Sequence, residues 1–179
     1  MNNLNFISPE IFISLSIMFL LILGVFKKNS SSLIHNLSIA FLLITGILIL
    51  NNPFNSSIKL FSNSYVIDNL SSLMKTLTIV GGAFVLLIST KYLKISQIFL
   101  IEYPILILCS ILGMMVMISS NDLIVFYIGL ELQSLALYVL ASFNRDQLKS
   151  SESGLKYFVL SALSSGLLLY GCSLIYGFS

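Results

Sequence analysis

The chain of 179 residues contains no tryptophan, three prolines, two cysteines and one histidine, and only 9% of its residues are charged. A soluble domain carries roughly a quarter charged residues, so a chain this poor in charge is not built to meet water on every side. Cys109 and Cys172 both lie inside apolar runs, far from any CxxC or Cys/His spacing. That pattern excludes a disulfide framework, an iron–sulfur cluster and a zinc site, and leaves both cysteines a packing role. No GxGxxG and no Walker sequence occurs, so no nucleotide site is recognisable. A net charge of +2, scattered along the chain, makes no nucleic-acid footprint. The start "MNNLNFISPEIFISL" has neither a basic signal n-region nor the arginines of a transit peptide, and insertion by the first apolar run itself is expected.

What the chain does have is apolar length. Hydrophobic residues make up 57% of it, and the mean hydropathy is +1.01. The runs are continuous rather than alternating, which excludes a membrane barrel, and several approach the about 20 residues a spanning helix needs. The fold class expected is an all-α polytopic membrane protein. It is a single membrane domain over 1–179, with spans at about 9–26, 33–50, 70–90, 103–118, 121–143 and 154–178. Residues 51–69 form a polar extramembrane segment. Within it, "SIKLF" and "YVID" flank Ser62-Asn63-Ser64 and suggest a small hairpin.

Individual polar residues near the span ends have ordinary readings. Ser8 suits an N-cap, Pro9 the first helical position, and Glu10 the positive end of the helix dipole, which makes Glu10 a structural cap. Lys27 and Lys28 stop the first span. His35 reads as an interfacial anchor, Lys75 as an anchor one turn inside the third span, and Met114, Met115 and Met117 as gap-filling side chains. The links after spans one, three and five carry Lys27, Lys28, Lys91, Lys94, Arg145 and Lys149, whereas those after spans two and four carry only Lys59. That bias places the first set on the cytoplasmic or matrix side and the N-terminus on the intermembrane-space or periplasmic side.

One residue breaks the pattern. Glu131 sits ten residues past Asn121, which is roughly 15 Å deep and close to the midplane of a ~30 Å hydrocarbon core. An acid there costs on the order of 2.5–3.5 kcal/mol on insertion scales. Tyr127, Glu131, Ser134, Tyr138 and Ser142 fall at spacings of four, three, four and four, so they share one stripe of the helix, extended by Arg145. Two readings follow. In one, a carboxyl whose pKa is raised by desolvation and lowered by a neighbouring cation takes up and releases a proton. In the other, a static buried acid bonds neighbouring helices. Lys156, about one turn inside the sixth span, reads by position as a snorkelling anchor, and Ser161/Ser165 and Ala162/Gly166 make small-xxx-small pairs suited to close helix packing.

The stretches "SNDL", "GLELQSL", "GLKYF" and "ALSSGLLLYG", over about Ile111 to Gly177, together with the start "SPEIF", resemble subunit 2 of proton-pumping NADH:ubiquinone oxidoreductase, respiratory complex I. The resemblance implies an antiporter-like membrane-arm subunit, the first part of a fold of about fourteen helices. It puts Glu131 at the family's essential fifth-span glutamate and Lys156 at its sixth-span lysine; the stripe's Tyr127, Ser134 and Tyr138 are expected as polar lining. It implies an enzyme role as a non-redox translocase subunit with no complete active site of its own. No cofactor or metal is expected in this chain itself. NADH, flavin, iron–sulfur clusters and ubiquinone belong to partner subunits. The partners expected are other membrane-arm subunits and membrane lipids, with no nucleic acid. The location expected is the mitochondrial inner membrane, or alternatively a bacterial plasma membrane. Full-length members carry a seventh-span lysine opposite the glutamate, an eighth-span lysine and a second inverted repeat, whereas this sequence stops after its sixth span. A separate chain completing a split subunit is therefore expected. A passive scaffold of the same complex and a cation/proton antiporter subunit are the rival readings.

Overall fold

The computed structural model describes residues 6–27, 31–51, 58–95 and 100–178. Lys28, the link at 29–30, the 52–57 part of the polar segment and Ser179 lie outside the described residues. Six helices follow one another: α1 (Ser8–Phe26), α2 (Ser31–Leu50), α3 (Asn69–Ile95), α4 (Glu102–Ile118), α5 (Leu123–Ala141) and α6 (Leu148–Phe178). In lipid a helix satisfies every backbone group within itself, which is why the apolar runs take this form. Five of the helices are long and apolar enough to cross a membrane, and α4, at 17 residues, stands at the short limit of a span. The helices α3 and α6 begin before, and α3 ends after, the spans suggested by hydropathy alone. Lys91 and Lys94 therefore ride on the last turns of α3, and Lys149 on the first turn of α6, instead of lying in links.

Between α2 and α3 the chain forms a hairpin, β1 (Ile58–Leu60) against β2 (Tyr65–Ile67), antiparallel with Leu60 opposite Tyr65. Phe61, Ser62 and Asn63 all have positive φ, and this turn conformation lets the two short strands pair. The next helix is capped at once. Asp68 Oδ1 accepts from the Ser71 amide at 2.8 Å, and the Asp68 amide donates to Ser71 Oγ at 2.9 Å, a reciprocal capping box. Those bonds from Ser71 hold the Asp68 carboxyl below the usual carboxylate range.

The core is shared by α1 to α4. Ile13, Leu20, Ile34, Leu42, Leu86, Leu108, Ile111 and Met115 are almost completely buried within it. Met115 fills the interior as its flexible side chain suits. His35 does not anchor at an interface. Because α2 begins at Ser31, the ring lies a full turn inside, 1% exposed, with Nε2 3.0 Å from the Leu86 carbonyl of α3. The first helix also departs from expectation at its start: it begins at Ser8, after Ile7, with no side-chain cap bond.

The helices α4 and α5 cross backbone against backbone. A Cβ on Gly113 would stand 2.6 Å from the Gln133 amide nitrogen and 2.8 Å from the Gly129 oxygen, and one on Gly129 would stand 2.8 Å from the Met117 nitrogen. Those neighbours are backbone and cannot move aside, so the two glycines let the helices touch. Gly129→Ala is expected to destabilise by about 1–3 kcal/mol, the range for overpacking. Gly81→Ala, where nothing lies within 4 Å, is expected to leave stability unchanged or raised. Thermal unfolding of the purified assembly in detergent checks both.

Candidate functional site: two buried carboxylates

The stripe on α5 faces away from the α4 crossing. Glu131 is two residues from both Gly129 and Gln133, which is about 200° around the helix from each. Asp122 caps the start of α5 by accepting from the Ile124 amide, so Glu131 is held in the middle of a well-begun helix. Ser134 and Tyr138 are buried, while Tyr127, Glu131 and Ser142 are partly exposed. The Glu131 Oε1 atom is buried and has no hydrogen-bond partner among the described residues.

The hydroxyls along the stripe do not form a continuous chain. Ser134 donates to the Glu131 carbonyl at 3.0 Å and Ser142 to the Tyr138 carbonyl at 3.2 Å, so both satisfy their own helix. Tyr138 alone reaches across, bonding Ser161 of α6 and meeting the rings of Tyr157 and Phe158 edge-on. Beyond it, Tyr138, Ser142, Arg145 and Gly154 line a cleft of about 500 Å³ between α5 and α6. Lys156 is not brought to Glu131. Its ammonium lies 2.6 Å from Glu152 Oε1, one turn earlier on an exposed face of α6. Arg145, at the far end of the stripe, pairs with Glu102 at 3.3 Å on the surface.

A second buried acid has a partner. Lys75 Nζ donates to Glu10 Oε1 at 2.6 Å, and the side chains are 4% and 7% exposed. Tyr65 of β2 closes the triangle: its hydroxyl donates to the same oxygen at 2.8 Å and accepts from Lys75 at 3.2 Å. The Lys75 ammonium also stands 5.1 Å from the Tyr65 ring centroid. Burial, and then the Glu10 carboxylate, push the Tyr65 phenol far above its usual range, so it remains a neutral donor. Glu10 Oε2 is buried without a partner among the described residues.

The readings of Glu10 as a cap and Lys75 as an interfacial anchor are thereby corrected. Both side chains point inward because α1 and α3 start at the same end of the bundle, where each finds the opposite charge. Tyr65 was not singled out by the sequence at all. One signal was available: an acid and a lysine of opposite sign, both within two turns of helix starts that the charge bias puts on one side.

A family model described as NADH:quinone oxidoreductase/Mrp antiporter, TM matches residues 120–179. NADH-quinone oxidoreductase subunit N of Pelagibacter ubique is 82% identical over 179 residues, covering 100% of this chain and 38% of that protein. The protein of the same name in Bartonella bacilliformis is 51% identical over 174 residues, covering 97% of this chain and 35% of that protein. In the structure of respiratory complex I from Thermus thermophilus with bound aureothin, one chain superposes with a TM-score of 0.80 at 23% identity, covering 96% of this chain and 37% of that one. A chain of the membrane-bound sulfane sulfur reductase, an archaeal respiratory membrane complex, does so with a TM-score of 0.77 at 21% identity, covering 94% and 36%. These two likenesses show the fold, an antiporter-like membrane bundle of which this chain makes the first part. The chain spans less than two-fifths of the length of the curated relatives named here, and over all of that span it belongs to the family of NADH-quinone oxidoreductase subunit N.

Proposed function

We propose that this chain contributes to a proton-translocating membrane-arm subunit of an NADH-quinone oxidoreductase, with Glu131 as a proton-carrying group. The observation that carries the reading is the mid-helix Glu131 carboxyl, whose buried Oε1 has no partner among the described residues. It sits on the face of α5 turned away from α4, the side on which Tyr138 meets α6. A buried acid in that state is costly unless a cation meets it. In the longer relatives, the helices that follow are the place for that cation. A lysine arriving there keeps Glu131 ionised, and its withdrawal lets the carboxyl bind a proton. The Tyr138–Ser161 bridge and the cleft beside Ser142 and Arg145 place polar groups between Glu131 and the end where α5 finishes.

Lys156, at the position of the family's sixth-span lysine, is a second carrier. Its exposed pairing with Glu152 leaves it free to turn toward α5 when further helices pack on α6. NADH, flavin, iron–sulfur and quinone chemistry belong to partner subunits, which drive the movement of charge in this one. The relatives named are bacterial, which supports a bacterial plasma membrane over a mitochondrial inner membrane as the location. The intact mass of the native subunit in the purified complex decides whether the following helices belong to the same polypeptide or to a separate completing chain.

In membrane vesicles carrying the whole complex, Glu131→Gln is expected to lower proton pumping by at least about tenfold, the low end of acid–base contributions, with assembly intact. Pumping equal to the parent would sink the role of Glu131. Lys156→Met is expected to lower pumping less severely under the same assay. A passive scaffold predicts the reverse: Glu131→Gln matters little, and bulky residues at Ser165 or Gly166 prevent assembly. A sodium/proton antiporter role predicts that the transport depends on sodium.

A further inference from the structure

The buried Glu10–Lys75–Tyr65 triangle lies at the end of the bundle opposite the cleft and is not used by the mechanism above. Its cost argues that it does something other than hold the fold together. Apolar residues of similar volume serve stability as well as a buried ion pair does, or better. What the pair supplies is direction, since its three hydrogen bonds of 2.6, 2.8 and 3.2 Å fix where Tyr65 stands.

Tyr65 stands on the strand that holds the corner between α4 and α5. The Val66 amide donates to the Ser119 carbonyl at 2.8 Å, and the Asn121 amide to the Ser64 carbonyl at 2.9 Å, with Tyr65 bridged to Ser120. Asn121 Nδ2 adds a bond to the Asn63 carbonyl at 2.8 Å. The next residue, Asp122, caps α5. From that cap the helix runs nine residues to Glu131, roughly 13 Å along a stiff rod. The α4–α5 crossing is made at glycines, which bring the two backbones into contact. Only four residues of α5 are buried, none of them a large aliphatic. The depth and rotation of α5 are therefore set by the tie at its start together with this glycine contact.

We propose that Glu10, Lys75 and Tyr65 are positioning residues for Glu131, acting through the hairpin and the 119–122 corner as a latch that sets the rotation of α5. The inference rests on the proton-carrying role of Glu131 proposed above. Loosening the latch keeps every group of the stripe but turns the stripe, Glu131 with it, away from the cation that meets it.

The test uses the purified whole complex, reconstituted in vesicles, and reads protons pumped per NADH oxidised. A merely structural residue lowers the amount assembled without changing this ratio. The variants are Tyr65→Phe, the apolar pair Glu10→Leu with Lys75→Met, and the exchange Glu10→Lys with Lys75→Glu. The apolar pair keeps the site neutral, so it assembles where either single change strands a buried charge. Tyr65→Phe and the apolar pair are expected to lower the ratio by about tenfold, because ångström-scale misplacement acts on that scale or above. The exchange, which remakes the ion pair, is expected to restore much of it. An unchanged ratio in both variants, beside a defective Glu131→Gln control, overturns the latch alone. A parent-like ratio in the Glu131→Gln control overturns the functional reading, and the latch with it.

Discussion

The contact that orders this molecule is the 2.6 Å ion pair between Glu10 and Lys75. Removing two charges from water is expensive, and their attraction offsets that expense only when the geometry is good and further hydrogen bonds join in. Tyr65 supplies the further bonds, and in doing so it draws a strand outside the helices onto the end of the bundle. Three segments far apart in the chain, the starts of α1 and α3 and the hairpin between α2 and α3, are thereby gathered at one point. The α4–α5 corner is fastened to the same hairpin.

Glu131 is the contrast that gives this pair its meaning. Glu10 is buried and Glu131 has one buried carboxylate oxygen, yet the first has its counter-charge within the chain and that oxygen has no partner among the described residues. A pair formed from residues of one compact bundle is fixed, and suits a joint. In the role proposed for Glu131, an acid met by a cation from other helices can be paired and released, as transport requires. The same physical cost is thus consistent with the two roles proposed, separated by where the partner resides.

Much of the architecture was legible beforehand, and the reasons are local. Apolar runs of bilayer length specify helices because nothing else satisfies the backbone in lipid. Ser62-Asn63-Ser64 between short β-prone runs marks the hairpin, since its turn needs residues that tolerate positive φ. The stripe containing Glu131 is a matter of helical spacing and needs no tertiary knowledge. The Glu10–Lys75 pair was misread for the complementary reason. Ser8-Pro9-Glu10 is also how a capped helix begins, and a lysine one turn inside a span is also how an anchor looks. Sixty-five residues separate the two, so only the packing of α1 beside α3 distinguishes a pair from two bystanders.

His35 extends the same point. One histidine near a span end is compatible with an interface, but a shift of α2's start to Ser31 carries it a turn inward, against Leu86 of α3. Hydropathy locates a span to within a turn, and a turn is the distance over which a polar side chain changes from wet to buried. In a membrane protein that uncertainty falls on the residues that carry chemistry, because they are the ones standing at or beyond the edges of the apolar runs. The charges of such a chain are few enough that each is best read against every other charge at the same depth. By that criterion Glu10 and Lys75 select one another, and Glu131 Oε1 is left without a partner among the described residues.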